Sequence, residues 1–232
     1  MLNRRLNRRH MLAGIGMAPL AGVLAGCGKM GGTQPSSSRQ APAARRFEPR
    51  LPGREMMRRR YFPNLALVTH LGRQVKFYDD LLRDKIVVLN FMYADCEGIC
   101  PTILDNLKRV RTILDKAVTR DIFIYSLTIR PEVDTPAKLN EYSEMHRIHD
   151  PRWSFLTGKP DEVDTLRHLL GFADPNPEID KDKSKHSGML RYGNEPQAIW
   201  GTCQGSGEPE WIAQEIQFAV PREFKRRPHV ND

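Results

Sequence analysis

Residues 86–114 read IVVLNFMYADCEGICPTILDNLKRVRTIL, and three signals follow one another in them. The first seven, IVVLNFM, are nearly continuous in apolar character and rich in β-branched side chains, the pattern of a central strand covered on both faces. Further on, Ile103, Leu107, Val110 and Leu114 recur at steps of three and four, which lays one apolar stripe of a helix against a sheet. Between strand and helix stand Cys96 and Cys100, with three residues between them and Pro101 directly after. A helix start offers unpaired N–H groups and the positive end of the helix dipole, and both favour a thiolate. Two sulfurs at this spacing lie near one another on the first turn, close enough for a disulfide or for two bonds to one soft ion. A merely structural disulfide here would close a loop too short to restrain much of the unfolded chain, so the placement points to chemistry.

Outward from this stretch, strand and helix patterns alternate. Upstream, residues 65–69 and 74–78, parted by Gly72, read as a hairpin. Downstream, residues 122–127 form a second buried strand, and Thr135 and Pro136 open a helix that runs toward Met145, Thr135 as cap and Pro136 in the first turn. Residues 154–157 are a third strand, and 160–170 a helix stopped by Gly171. Residues 189–192 and 197–200 read as a closing antiparallel pair, with a last helix over 210–219. After the N-terminal hairpin the order β-α-β-α-β-α-β-β-α predicts an α/β domain with a mixed central sheet flanked by helices.

The N-terminus is of another kind. Arg4, Arg5, Arg8 and Arg9 precede an uncharged run from Met11 to Ala25, broken by Gly14, Gly16, Pro19 and Gly22, which is the layout of an export signal and too short to span a bilayer comfortably. It ends in Leu24-Ala25-Gly26-Cys27, which resembles the bacterial lipobox and predicts a lipidated Cys27. Arg8-Arg9 also looks like a twin-arginine signal, with Asn7 and Met11 at positions where other residues are usual, so the Tat and Sec routes both stay open. Residues 28–60, rich in Gly, Pro, Ser, Gln and Arg, read as a flexible basic tether. The expected organisation is therefore 1–27 export signal, 28–60 tether and 61–232 folded domain.

Charge divides along the same lines. The chain of 232 residues has 36 Lys and Arg against 28 Asp and Glu, a net +8, which at first points to nucleic acid or an anionic membrane. Residues 61–232 hold 23 basic and 26 acidic side chains, so the domain is mildly acidic and the excess belongs to export and tethering. Nucleic acid drops out as a partner, while Arg58, Arg59 and Arg60, with Arg45 and Arg46, are available to lipid headgroups. No nucleotide loop or paired-carboxylate motif is present in the sequence.

A metal held by two thiolates needs at least one more ligand, and imidazole with thiolate suits copper as Cu(I) or Cu(II). The histidines available are His70, His146, His149, His168, His186 and His229; His186 stands out because it lies in a polar loop just before the apolar strand at Met189. From about Phe62 to Trp211 the chain resembles the Sco/SenC family of thioredoxin-like copper proteins, which assist assembly of the copper centre of cytochrome c oxidase. The resemblance is carried by Phe91-Met92-Tyr93 through Cys96-Glu97-Gly98-Ile99-Cys100-Pro101, by Asp134-Thr135-Pro136 with Leu139 and Tyr142, by Trp153, by Leu156-Thr157-Gly158 and by His186-Ser187-Gly188-Met189. It implies a thioredoxin-like fold and copper ligands at Cys96, Cys100 and His186, with Cys96 and Cys100 also able to form a disulfide.

Two positions depart from the family's pattern. Arg130 stands where the first aspartate of Asp-Pro-x-x-Asp-Thr is usual, and Lys185 precedes His186 where an aspartate is common. Cys203 has no role the resemblance assigns, and reads as a small buried thiol or as a cysteine in exchange with a partner. The implied function is a membrane-tethered copper chaperone at the outer face of the bacterial cytoplasmic membrane, delivering to the copper-receiving subunit of cytochrome c oxidase. Enzymatic activity stays open at this point: the alternative is a thiol-disulfide reductase that uses Cys96 and Cys100 as a redox pair and keeps the oxidase cysteines reduced.

Overall fold

The computed structural model describes residues 52–182 and 187–220. Cys27 and the export signal, most of the tether, His186 and His229 lie outside the described residues. The IVVLNFM stretch is β3, Ile86–Met92, with all seven residues buried, and it is flanked in the sheet by β4, Ile122–Thr128, and β6, Met189–Asn194. The other strands are β1, Ala66–Thr69, β2, Gln74–Lys76, β5, Trp153–Gly158, and β7, Ile199–Gln204, in the order β2-β1-β5-β4-β3-β6-β7. β3, β4 and β5 are mutually parallel and the remaining pairs antiparallel, so the sheet is mixed, as expected.

Helices cover both faces. On one lie α2, Cys100–Ala117, α3, Pro136–Met145, and α6, Pro209–Gln217. The stripe of Ile103, Leu107, Val110 and Leu114 is wholly buried there, against Val88, Ile124 and Leu190 of the sheet. On the other face lie α4, Pro160–Leu169, and a short π-helical turn, Phe77–Leu82, whose Phe77, Leu81 and Leu82 meet Val87, Leu89 and Phe91. The Thr135 hydroxyl accepts from the Lys138 N–H at 3.3 Å, the cap its sequence foretells, and Gly171 ends α4 with φ +76°. A four-residue α5, Pro177–Asp180, was not anticipated.

Several boundaries differ from expectation, three of them with a clear physical cause. Residues 53–60, read as tether, form α1, Gly53–Tyr61, because Arg54 reaches into the domain. Its guanidinium donates twice to the Glu195 carboxylate, at 2.7 Å each, and once to Asp84 at 2.7 Å. The second hairpin strand stops at Lys76, since Phe77 and Tyr78 turn into the core at the start of the π-turn. β7 begins at Ile199 instead of Gln197 and continues to Gln204. Gln197 belongs to the turn, and Gly201 lies inside the strand because a Cβ there would stand 2.5 Å from the Tyr192 ring.

Candidate metal centre

The chain leaves β3 at Met92, crosses the carboxyl end of the sheet and enters α2 at Cys100. Eight residues, Tyr93 to Cys100, make the crossing, and neighbouring elements hold them at both ends. Asp134, 1 % exposed, accepts from the Ala94 N–H at 3.1 Å and from the Thr128 hydroxyl at 2.5 Å. Lys138, one turn into α3, bridges Asp95 at 2.6 Å and Asp134 at 3.5 Å. At the far end the Ile99 carbonyl accepts from the Ile103 N–H at 3.1 Å, beginning the helix ladder.

α2 has no side-chain cap in the usual sense. The N–H groups of Gly98 and Cys100 instead point at the Cys96 sulfur, which takes the place of a capping oxygen. Burial by itself would push the Cys96 thiol up. The Cys100 side chain, those two N–H groups and the Tyr93 hydroxyl all donate to it and outweigh burial, so it ionises below its ordinary value. Cys100 goes the opposite way: 3 % exposed, it is driven well above the usual thiol range by burial first and then by its hydrogen bond to Cys96. The Tyr93 hydroxyl is pushed up to about 12, by burial and then by the same sulfur. The donors of the helix start converge on Cys96, while Cys100, first residue of the helix, turns its side chain into the core. Neither is in a disulfide here, and the two share a hydrogen bond.

Each remaining histidine among the described residues has a local partner. His70 accepts from the Phe155 N–H at 3.3 Å, and burial lowers its pKa. His146 lies 4.4 Å from the Tyr142 ring, His149 faces Glu144 at 3.6 Å and His168 faces Asp164 at 3.4 Å. Among the described residues no group of three or more His, Cys, Asp and Glu side chains converges as a metal would require. Cys203 is buried on β7 opposite Leu190, its thiol pushed up to about 12 by burial and then by the charge of Glu215, as suits an inert core thiol. Two contributors escaped the sequence reading: Tyr93, whose hydroxyl faces Cys96, and Lys138, whose link to Asp95 crosses 43 residues of chain. Tyr93 stands inside a quoted motif without a role assigned to it, and the signal for Lys138 was its closeness to Asp134-Thr135-Pro136.

A mixed sheet with a parallel core, helices on both faces and a cysteine pair at the start of the helix after a central strand define a thioredoxin-like protein with a dithiol site. The family model described as SCO1/SenC matches residues 57–220, and the chain belongs to that family. A SCO1 protein homolog of Bacillus subtilis is 30% identical over 77 residues, which cover 33% of this chain and 39% of that relative, so the match spans about two fifths of the relative's length. The Arabidopsis thaliana ScoI structure with copper bound superposes with TM-score 0.55 at 19% identity, over 67% of this chain and 95% of that one. The structure of BsSco, described as a member of the Sco family of cytochrome c oxidase assembly proteins with a disulfide switch, gives TM-score 0.55 at 21% identity, over 67% and 90%. At these identities the structural likeness carries the fold.

Proposed function

We propose that this protein is an exported, membrane-tethered copper chaperone that takes copper on Cys96, Cys100 and His186 and hands it to the copper-receiving subunit of cytochrome c oxidase. The observation that carries the proposal is the cysteine pair itself. One sulfur, partly exposed, is favoured as thiolate by four donors, and the second lies in hydrogen-bond contact with it, a donor set suited to a soft ion. Support for His186 comes from the chain two residues beyond it. Gly188 has φ +59° and lies so close to Ile99 that a Cβ would be 2.7 Å from its Cδ1, which packs the end of the His186 loop against the residue before Cys100. The copper-bound Arabidopsis relative and the description of BsSco give copper and oxidase assembly as the class of cargo and partner. Lipidation at Cys27 and the outer face of the cytoplasmic membrane follow from the lipobox-like end of the apolar run.

Copper titration of the chain lacking residues 1–27 tests the site. One equivalent should bind with a sulfur-to-copper charge-transfer band, Cys96→Ser and Cys100→Ser should abolish the band, and His186→Ala should shift it and weaken binding at least roughly tenfold. A band and affinity untouched by His186→Ala would remove His186 from the ligand set.

The contrast between the two cysteines supports a second reading, as a thiol-disulfide reductase. Cys96 would attack a partner disulfide and Cys100, buried behind it, would resolve the mixed disulfide. Reduction of an oxidised dicysteine copper-site peptide by the protein, undiminished in His186→Ala, would favour that reading.

A further inference from the structure

We propose that Tyr93 and Arg130 form a tuning pair for Cys96, in which Arg130 fixes the Tyr93 ring so that its hydroxyl donates to the Cys96 sulfur and biases the dithiol against the disulfide. This rests on the reading of Cys96 and Cys100 as the reactive pair, and adds a control on their redox balance that neither cysteine supplies.

The geometry is a stack of three. The Tyr93 hydroxyl hydrogen-bonds the Cys96 sulfur, and the Tyr93 carbonyl accepts from the Cys96 N–H at 3.3 Å, so one residue grips Cys96 by both side chain and backbone. The Arg130 guanidinium carbon lies 5.4 Å from the Tyr93 ring centroid, within cation–π range. Arg130 is itself held: its N–H donates to the Thr128 hydroxyl at 2.9 Å, and its carbonyl accepts from the N–H groups of Val133 and Asp134 at 3.0 and 2.8 Å. Thr128 in turn donates to Asp134, the carboxylate that anchors Ala94. The turn after β4 therefore fixes the backbone from which the guanidinium reaches the Tyr93 ring.

Oxidation by glutathione disulfide forms the Cys96–Cys100 bond and breaks the glutathione one. Two electrons pass to glutathione, which leaves as one thiolate and one thiol, the latter carrying the proton from Cys100. A donor on Cys96 stabilises the thiolate and finds a far weaker acceptor in the disulfide, so it favours the reduced side.

The test is the thiol-disulfide equilibrium of the metal-free full-length chain in glutathione buffers at pH 9, read by acid trapping, alkylation and peptide mass spectrometry. Tyr93→Phe should raise the disulfide-to-dithiol constant roughly tenfold, a potential lower by about 30 mV. Arg130→Met should raise it roughly threefold alone and less than about 1.5-fold when added to Tyr93→Phe, since it acts through the ring. A Tyr93→Phe shift under twofold overturns the proposal, as does an Arg130→Met effect equal in both backgrounds. Arg130→Lys keeps the charge without the planar stack: a shift like that of Arg130→Met supports the pair, and full retention of the parent equilibrium overturns it. No copper is present, so failure of the ligand assignment and failure of this tuning pair are separately visible.

Discussion

Two cysteines four positions apart end in opposite chemical states because of what each touches. Cys96 stands outside the helix, where N–H groups and the Tyr93 hydroxyl converge on its sulfur; Cys100 is inside the first turn and faces the core with Ile103 and Leu104. Iodoacetamide at pH 7.5, with the protein kept reduced, should therefore alkylate Cys96 roughly tenfold or more faster than Cys100 or Cys203. Because the Cys96 pKa is lowered, its rate should reach half-maximum below the ordinary thiol value. Labelling of Cys203 ahead of Cys96, seen by peptide mass spectrometry, would contradict the assignment. The sequence made the pair legible, since strand, cysteines and helix stripe lie within 29 consecutive residues. It could not distinguish the two sulfurs, because the decisive donors depend on how the loop folds back on Cys96.

At the scale of the element, α1 shows how a segment of tether-like composition becomes part of a domain. Arg59 and Arg60 are exposed, as the composition implied, while Arg58 is half-buried over the Tyr78 ring and Arg54 finds a carboxylate that is 3 % exposed. Glu195 also accepts from the Tyr78 hydroxyl at 2.6 Å and the Asp84 N–H at 2.8 Å. Burial would raise the Glu195 carboxyl, but Arg54 and these donors outweigh it and hold it below the ordinary glutamate value. Replacing one partner leaves a charge without its counterion, so Glu195→Gln should cost about 3 kcal/mol, less to the extent that water reaches the half-exposed Arg54. A lowered folded pKa contributes stability that is complete above the unfolded value and is lost as pH falls through the folded one. In urea unfolding the gap between the parent and Glu195→Gln should thus be full at pH 7 and close as pH falls below about 4.3. A gap unchanged down to pH 3 would mean that the Glu195 carboxyl titrates alike in the native and unfolded chains.

At the scale of the molecule, the sheet separates attachment from chemistry. Arg54 joins Glu195 and Asp84 near the amino end of β3, where Ile86 pairs with Asn194, while Cys96 follows the carboxyl end at Met92. The seven residues between set these ends roughly 20 Å apart. The carboxyl end is where β6 begins, and Gly188 carries that junction, its carbonyl accepting from the Gly205 N–H at 2.9 Å while Ile99 and Ile103 occupy the space a Cβ would need. Gly188→Ala should cost about 1–3 kcal/mol from overpacking and a strained positive φ. Under the proposed function it should weaken copper binding more than a control of equal cost far from the loop, such as Gly193→Ala, whose Cβ would meet the Trp200 ring at 2.2 Å. Equal copper affinities in the two variants, by competition titration, would separate the Gly188 contact from metal binding.

Local signals in the chain were enough for the element order from β3 onward apart from the short α5, for the buried strands, the α2 stripe, the Thr135 cap and the position of the cysteine pair, because each depends on neighbours within a turn or a strand. Asp134 is the counter-example. In sequence it reads as the residue before a cap, yet its partners are Thr128 on β4 and Ala94, 40 residues upstream. Arg54 with Glu195 spans 141 residues, and Gly201 lies inside β7 where the Tyr192 ring fills the space beside it. The common physical reason is that periodicity and capping act through the bonded chain. The charge state of Cys96, the fate of α1 and the tolerance for glycine are set by groups that meet only once the sheet has paired its strands.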